Sequence, residues 1–164
     1  MDKPKKHSHR VLIALGSNLG EREKLLRDAL TRLGNTSGIK IERVSSFIET
    51  EPVGGSPGQQ KYLNAAALLS TSLPPRELLD ALLKIEAALG RVRQKGERNA
   101  PRTVDLDLLL YDQVIRQEPG LEIPHPRLHE RHFVLAPLCE IAPEWEHPKL
   151  RKSMRELLMC LTPV

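Results

Sequence analysis

The chain has 164 residues, of which 40% are hydrophobic and 28% charged, and its formal net charge is +4 at pH 7. This length and balance predict one globular domain, which we place at 10–164 behind a mobile basic tail at 1–9. No apolar run is long enough to span a membrane, and the head is too charged for a signal peptide. We therefore expect a cytoplasmic protein with no membrane partner.

The numbers of cysteine and aromatic residues bear on the cellular compartment and on the class of ligand. The two cysteines, Cys139 and Cys160, make no disulfide framework, which fits a reducing compartment. Aromatic residues are only 3% of the chain. This scarcity disfavours a protein that binds single-stranded nucleic acid, because such sites stack bases on aromatic rings.

The N-terminal half alternates strands with one helix. Hydrophobic spacing predicts, in order, strand 10–15, helix 21–33, strand 39–50, a Pro- and Gly-rich loop 51–60, and strand 62–71. Gly34 is placed to end the helix in the left-handed conformation. We interpret 16–20 as an ordinary turn, because it lacks the lysine of a phosphate-binding loop.

The second half begins with another helix. Ser72 is the predicted cap, with Pro74 and Pro75 in the first turn and Gly90 at the end. The buried stripe of this helix is predicted to be Leu78, Leu82, Ile85 and Leu89. The elements predicted after it are a charged loop at 90–101, strand 102–111, an extended piece at 113–123, and helical segments at 127–140 and 153–161.

The element order is β-α-β-β-α-β followed by further elements. This order predicts an α+β fold with a ferredoxin-like core. We expect the two helices to pack on one face of an antiparallel sheet and to leave the other face free for ligands.

Residues 102–111 alternate polar and apolar side chains, which places Asp105 and Asp107 on one face of a strand. The opposite face is predicted to carry Val104, Leu106, Leu108 and Leu110. Two residues of strand span roughly 6.6–7 Å, so both carboxylates can reach one metal ion or a metal pair. Such carboxylates hold Mg²⁺ beside nucleotide phosphates, and Arg102 suits phosphate oxygens. The alternative is an exposed strand face with two solvated aspartates.

A second group consists of Glu86, near the end of the second helix, with Arg91 and Arg93 in the charged loop after it. Enzymes that transfer polyphosphate groups commonly combine arginines with carboxylates that hold metal ions. The alternative is a surface glutamate followed by a solvated loop.

A third group, at 124–133, contains three histidines. No cysteine, and no histidine pair at the spacing of a zinc-binding helix, completes a metal site there. We interpret His125 and Arg131 as contacts to an anion, and His129 and His132 as surface or structural residues.

With these groups in this order, the chain resembles the 6-hydroxymethyl-7,8-dihydropterin pyrophosphokinases of folate biosynthesis. The matching segments are 14–20, 45–54, 62–66, 85–86, 90–93, 101–107 and 123–131. The Pro-Arg-Thr-x-Asp-x-Asp sequence at 101–107 is highly specific in this context, and the likeness covers nearly all of 11–148.

The resemblance implies that pyrophosphate moves from ATP to the hydroxymethyl group of the pterin, with release of AMP. It implies two Mg²⁺ ions held by Asp105 and Asp107. Phosphate contacts and closure of the charged loop would come from Arg91, Arg102 and Arg93. The implied nucleotide contacts are Glu86, Leu108, His125 and Arg131. The implied pterin pocket consists of Thr50, Pro52, Val53, Tyr62, Asn64 and Phe133.

The implied partners are these two small molecules, and we expect a monomer. The sequence departs from the family's pattern at two places: Ile48 replaces a common tyrosine, and Asn99-Ala100 replaces a large or aromatic residue followed by glycine.

The alternative functions from other classes are an RNA-binding module and a metal-dependent nuclease. The aromatic motif of RNA-binding sheets is absent, and an aspartate pair on the sheet would repel RNA.

Overall fold

A computed structural model of the chain describes residues 9–51, 60–90 and 104–161. The first six elements are β1 (His9–Ser17), α1 (Arg22–Gly34), β2 (Ile39–Val44), β3 (Ile48–Thr50), β4 (Tyr62–Thr71) and α2 (Pro75–Ala88). They are followed by β5 (Asp105–Tyr111), β6 (Arg116–Glu118), β7 (Leu121–Ile123), a 3₁₀ turn (Leu128–Glu130), α3 (His132–Ile141) and α4 (Met154–Leu161). Within the described ranges, no helix is long and apolar enough to cross a bilayer.

The main sheet has the strand order β2-β4-β1-β5, with β3 pairing to β4 as well. Every pair in it is antiparallel. This order places the first strand, β1, in the interior between β4 and the last strand, β5, and confirms the predicted ferredoxin-like core. Strands β6 and β7 form a separate hairpin. β1 begins at His9, one residue inside the predicted tail, and the division into a tail and one domain stays a prediction.

Helices α1 and α2 cover one face of the sheet, as predicted. Val11, Ile13 and Leu15 of β1 are buried beneath them. The helix residues in the same core are Leu26, Ala29, Leu33, Leu78, Leu82 and Ile85, with Leu25, Leu30 and Leu89 partly buried against it. The apolar spacing of α2 therefore predicted its buried side correctly.

Two predicted helix ends are wrong. Gly34 is the last residue of α1 and Asn35 follows it in a right-handed conformation, whereas Gly38 takes the left-handed turn into β2, with φ of +88°. The cap of α2 is Pro74 rather than Ser72, because the fixed φ of a proline suits the entry to a helix. Gly90 does end α2, with φ of +90°.

The opposite face of the sheet is not wholly free, which corrects the sequence-based expectation. Helices α3 and α4 cover the half of this face that contains Leu12, Leu68 and Leu110, and they form a second core there. The sheet residues in this core are Leu12, Ala66, Leu68, Leu109 and Leu110, and the helix residues are Val134, Leu135, Leu138, Ile141, Met154 and Leu157. Because the two helices carry their own apolar sides, they need a second surface on which to bury them.

Two strands are less regular than predicted. The predicted strand 39–50 is broken after Val44, so that β3 is a separate short segment. In β5 the register shifts: Ile13 of β1 is opposite Leu108, but Leu12 is opposite Leu110. Leu109 is thus the extra residue of a β-bulge, and Leu110 lies on the face opposite the predicted one, in the second core.

Candidate active site

Asp105 and Asp107 lie at the start of β5, at the end of the sheet face that α3 and α4 leave uncovered. They lie opposite Gly16 and Ala14 of β1, and both are partly exposed. Both side chains line one cavity of about 560 Å³, which we call the α3-side cavity. The predicted sharing of one face by the two carboxylates is therefore correct, and the bulge that moves Leu110 comes only after them.

The floor of the α3-side cavity is made by small residues of the central strands. Ala14, Gly16 and Ala65 line it together with the Asn64 side chain. A Cβ atom added at Gly16 would lie 3.0 Å from the Asn64 Oδ1 atom, which is closer than an ordinary contact. Gly16 and Ser17 are part of β1, so the predicted turn at 16–20 is confined to its last residues, where Gly20 has φ of +68°.

Four residues predicted for the pterin pocket come together in this cavity. They are Thr50, Tyr62, Asn64 and Phe133. The buried Asn64 donates a hydrogen bond from Nδ2 to the Thr50 hydroxyl over 2.5 Å, so its amide is held in one orientation. Phe133 is partly buried on the second core. A fixed amide beside an aromatic face can recognise a flat heterocycle by its edge and its ring.

A second cavity, of about 450 Å³, lies on the other side of β5. We call it the α2-side cavity. It contains Glu86, Leu108 and His125, three of the four predicted nucleotide contacts, and it also contains Asp105 and Asp107. The aspartate pair therefore borders both cavities, which is the position needed to act on groups arriving from each.

Glu86 fixes the backbone that carries the aspartates. Its side chain is only 3% exposed, and its Oε2 accepts a hydrogen bond of 2.6 Å from the backbone N–H of Leu106. Leu106 lies between Asp105 and Asp107, so this buried carboxylate holds the start of β5 in place. The predicted surface alternative for Glu86 is wrong.

His125 is held by two hydrogen bonds. Its backbone N–H donates to the carbonyl of Leu109, the bulged residue, over 2.9 Å. Its ring Nδ1 accepts from the backbone N–H of Arg127 over 3.2 Å, which leaves Nε2 as the donor of the neutral ring. Burial, and then the nearby Arg131 guanidinium, lower the pKa of His125. The ring is thus a neutral donor near pH 7.

Arg131, the fourth predicted nucleotide contact, lies in the other cavity, and its predicted role stays a prediction. It lines the α3-side cavity, with its guanidinium carbon 5.7 Å from the centre of the Phe133 ring. Sequence reasoning also missed other residues of that cavity, namely Gly16, Glu51, Arg127 and Glu130. Arg127 follows His125 directly in a segment already singled out, so the segment, though not the residue, carried a signal.

Other predicted residues lie outside the described residues. They are Pro52, Val53, Arg91, Arg93 and Arg102. Among the residues that the structure describes, no group of three or more His, Cys, Asp or Glu side chains could hold a metal ion. A third cavity, about 660 Å³ between α1 and α2, is lined by none of the predicted site residues that the structure describes, so volume alone does not identify the site.

Comparisons with known proteins identify the family of this chain. Residues 12–143 match the 7,8-dihydro-6-hydroxymethylpterin-pyrophosphokinase family. The chain is 47% identical over 134 residues to the 2-amino-4-hydroxy-6-hydroxymethyldihydropteridine pyrophosphokinase of Bacillus subtilis, covering 82% of this chain and 78% of that one. It is 38% identical over 151 residues to the Pseudomonas aeruginosa enzyme of the same name, covering 92% and 91%.

A solved structure supports the fold. The Plasmodium falciparum HPPK-DHPS crystal structure with pterin and p-hydroxybenzoate matches with a TM-score of 0.71 at 15% identity. The match covers 96% of this chain but only 42% of that longer one. Sequence and fold thus agree, and the chain belongs to the 7,8-dihydro-6-hydroxymethylpterin-pyrophosphokinase family.

Proposed function

We propose that this chain binds the pterin in the α3-side cavity and ATP in the α2-side cavity, and that transfer occurs between them at Asp105 and Asp107. The reaction is the family's: pyrophosphate passes from ATP to the hydroxymethyl group of 6-hydroxymethyl-7,8-dihydropterin in folate synthesis. The single observation that supports this placement is that both aspartates line both cavities.

The donor set fits magnesium. Carboxylate oxygens are hard ligands, and Mg²⁺ is usually bound by one or two carboxylates together with substrate phosphates and water. Asp105 and Asp107, partly exposed on one strand face, would hold two such ions. Bound magnesium would neutralise phosphate charge and ease loss of the proton from a coordinated hydroxyl.

The protein's own residues act mainly by positioning. In the reaction the hydroxymethyl hydroxyl loses its proton to water and its oxygen forms a bond to the β-phosphorus of ATP. The bond from that phosphorus to the oxygen bridging it to the α-phosphorus breaks, and AMP leaves with the bridging oxygen. Asn64 orients the pterin edge, and the Nε2–H of His125 donates to a phosphate oxygen. Glu86 keeps the aspartates in register through Leu106. Positioning of this kind accounts for much of the catalysis of phosphoryl transfer.

The two rival functions lose their support. Neither the family match nor the named relatives favour an RNA-binding module or a nuclease. We also propose a monomer in the cytoplasm, where the free thiols of Cys139 and Cys160 would stay reduced. Sedimentation at micromolar concentration tests the monomer, and a concentration-dependent mass would contradict it.

The placement of the two substrates is tested by a crossed pair of variants. Asn64→Ala should weaken pterin binding by about 1–3 kcal/mol, the cost of an unpaired buried polar group, and should spare ATP. His125→Ala should weaken Mg-ATP binding and spare the pterin. Calorimetry with each ligand measures both, and formation of AMP from Mg-ATP plus the pterin checks the activity. Loss of ATP binding in Asn64→Ala, with pterin binding kept, would show that the cavities are assigned the wrong way round.

A further inference from the structure

The break between β2 and β3 is closed by Ser45 and Ser46. Ser45 keeps contact with the sheet: its N–H donates to the Ala66 carbonyl over 2.9 Å, and its hydroxyl accepts from the Ala66 N–H over 2.8 Å. The same hydroxyl donates to the Ser46 carbonyl over 2.9 Å. The chain therefore stays hydrogen-bonded to β4 at Ser45, and β3 begins three residues later, at Ile48.

Glu140 of α3 holds the outer side of this break. One carboxylate oxygen accepts from the Ser46 N–H and the other from the Ser46 hydroxyl, each over 2.8 Å. Hydrogen bonds to an ionised acceptor are stronger than neutral ones. We call this pair of bonds the Glu140–Ser46 clamp.

The clamp joins two walls of the α3-side cavity. Phe133 lies seven residues before Glu140, which is two turns of α3 and about 10.5 Å along the same side of the helix. Thr50 lies four residues after Ser46, at the end of β3, where it accepts the Asn64 hydrogen bond. The aromatic wall and the wall that orients the amide are thus tied to each other directly, not only through the sheet.

Among the residues that the structure describes, few contacts besides the clamp hold β3. It has only three residues, all paired to β4. A second tie comes from α1, where Arg22 donates to the Glu49 carboxylate over 3.0 Å. The clamp is thus a direct side-chain tie between this short edge strand and α3.

We propose that Glu140 is a positioning residue for the pterin: the Glu140–Ser46 clamp fixes the distance between Phe133 and the Thr50–Asn64 pair, and so pre-organises the α3-side cavity. This proposal rests on the proposed placement of the pterin in that cavity. Pre-organisation lowers the cost of binding, so losing the clamp should affect pterin binding and leave the nucleotide alone.

The test compares KM for the pterin, KM for Mg-ATP, kcat and thermal midpoint in four variants. Glu140→Ala should raise the pterin KM about three- to ten-fold and leave the ATP KM and kcat within about two-fold. Glu140→Gln should rescue most of the loss, since its amide can still accept from the Ser46 N–H. Ser46→Ala removes one bond only and should give a smaller rise; it also serves if Glu140→Ala fails to fold. Glu144→Ala is the matched control, because it removes a surface carboxylate paired to Arg155 over 2.6 Å, and it should change neither KM.

The outcomes distinguish the positioning role of Glu140 from the proposed placement of the pterin, on which it rests. An unchanged pterin KM in Glu140→Ala, or in Ser46→Ala if only that variant folds, would overturn the positioning role. So would an equal rise in both KM values with a lower thermal midpoint, because that would show a general structural role. If Asn64→Ala weakens pterin binding while the clamp variants do not, the placement of the pterin stands and only the clamp fails. If none of them affects the pterin, the placement itself fails.

Discussion

The sheet face beneath α3 differs between its two ends, although the same three strands run through both. At the far end, Leu12 of β1 lies opposite Leu68 and Leu110, and all three are buried under α3 and α4. At the near end, Gly16 lies opposite Asn64 and Asp105, and these line the α3-side cavity.

The row between these ends is intermediate. Ala14 lies opposite Ala66 and Asp107; Ala66 belongs to the second core, whereas Ala14 and Asp107 already line the cavity. Directly opposite residues of an antiparallel pair share a face. Because the backbone is continuous, the change from core to site is set by side-chain size and polarity at a few positions in each strand.

The largest effect we expect is on turnover, at the near end. Asp105→Ala and Asp107→Ala should each lower kcat by at least ~10²-fold, the scale of losing one strong electrostatic stabiliser, with the fold intact. Steady-state AMP formation and circular dichroism measure the two quantities. Asp112→Asn is the control: Asp112 follows the same strand at its other end, pairs with His9 over 2.8 Å and has φ of +47°, which asparagine tolerates. Near-normal turnover in either alanine variant would remove the metal assignment.

The far end should respond in the opposite way. Leu12 is fully buried, so Leu12→Ala should cost about 2–5 kcal/mol of unfolding free energy while the remaining folded enzyme keeps its kcat. Urea unfolding gives the first value and assays well below the midpoint give the second. A variant that kept its stability but lost turnover would mean that the two ends are not separate in the way the strand registers indicate.

The near end was readable in the sequence because Asp105 and Asp107 interrupt an apolar run at every second position. Nothing comparable marks the far end. Leu108, Leu109 and Leu110 are identical residues on a strand buried on both faces there, so hydrophobicity gives no sign of the extra residue at Leu109. A shift of one residue moves every later side chain to the other face, which is why the predicted side for Leu110 was wrong.

The covering helices were predicted as segments but not placed. The sequence shows that α3 is apolar, but the surface it buries depends on contacts with residues distant in sequence, such as Leu12 and Leu68. The break at Ser45 was missed for a similar reason. It is stabilised by Ala66 and Glu140, partners that a pattern within 39–50 cannot contain.

The next prediction concerns Gly16, a near-end position where an added side chain would have little room. Gly16→Ala should push the Asn64 amide, which a new Cβ would approach to 3.0 Å, and raise the pterin KM by about ten-fold. Gly34→Ala is the matched control: its Cβ would meet only the Ile41 side chain at 3.8 Å, and alanine favours the helix. That variant should keep its kinetics. An unaltered pterin KM in Gly16→Ala would mean that the floor under Asn64 does not need to be empty.

The smallest expected effect concerns pH, in the connection that leads into α4. His147 is 3% exposed, and its Nδ1 accepts the backbone N–H groups of Lys149 and Leu150, each over 3.1 Å. Only the neutral ring can accept them. Burial first, then the charges of His129 and Lys149, lower the pKa of His147.

The sign of the pH effect follows from that direction. With a folded-state pKa below the ordinary value of about 6.5, the contribution of His147 is complete above that value and is lost as the pH falls through the folded-state pKa. His147→Asn replaces the acceptor by an amide oxygen that does not titrate. We therefore expect the thermal midpoint of the wild type to fall more steeply than that of His147→Asn below pH 6.5, while turnover at pH 7.5, which depends on the near end, is the same in both. Parallel midpoint curves would exclude His147 as the source of acid sensitivity, and a lower turnover in His147→Asn at pH 7.5 would show that the covered end of the face also controls the site.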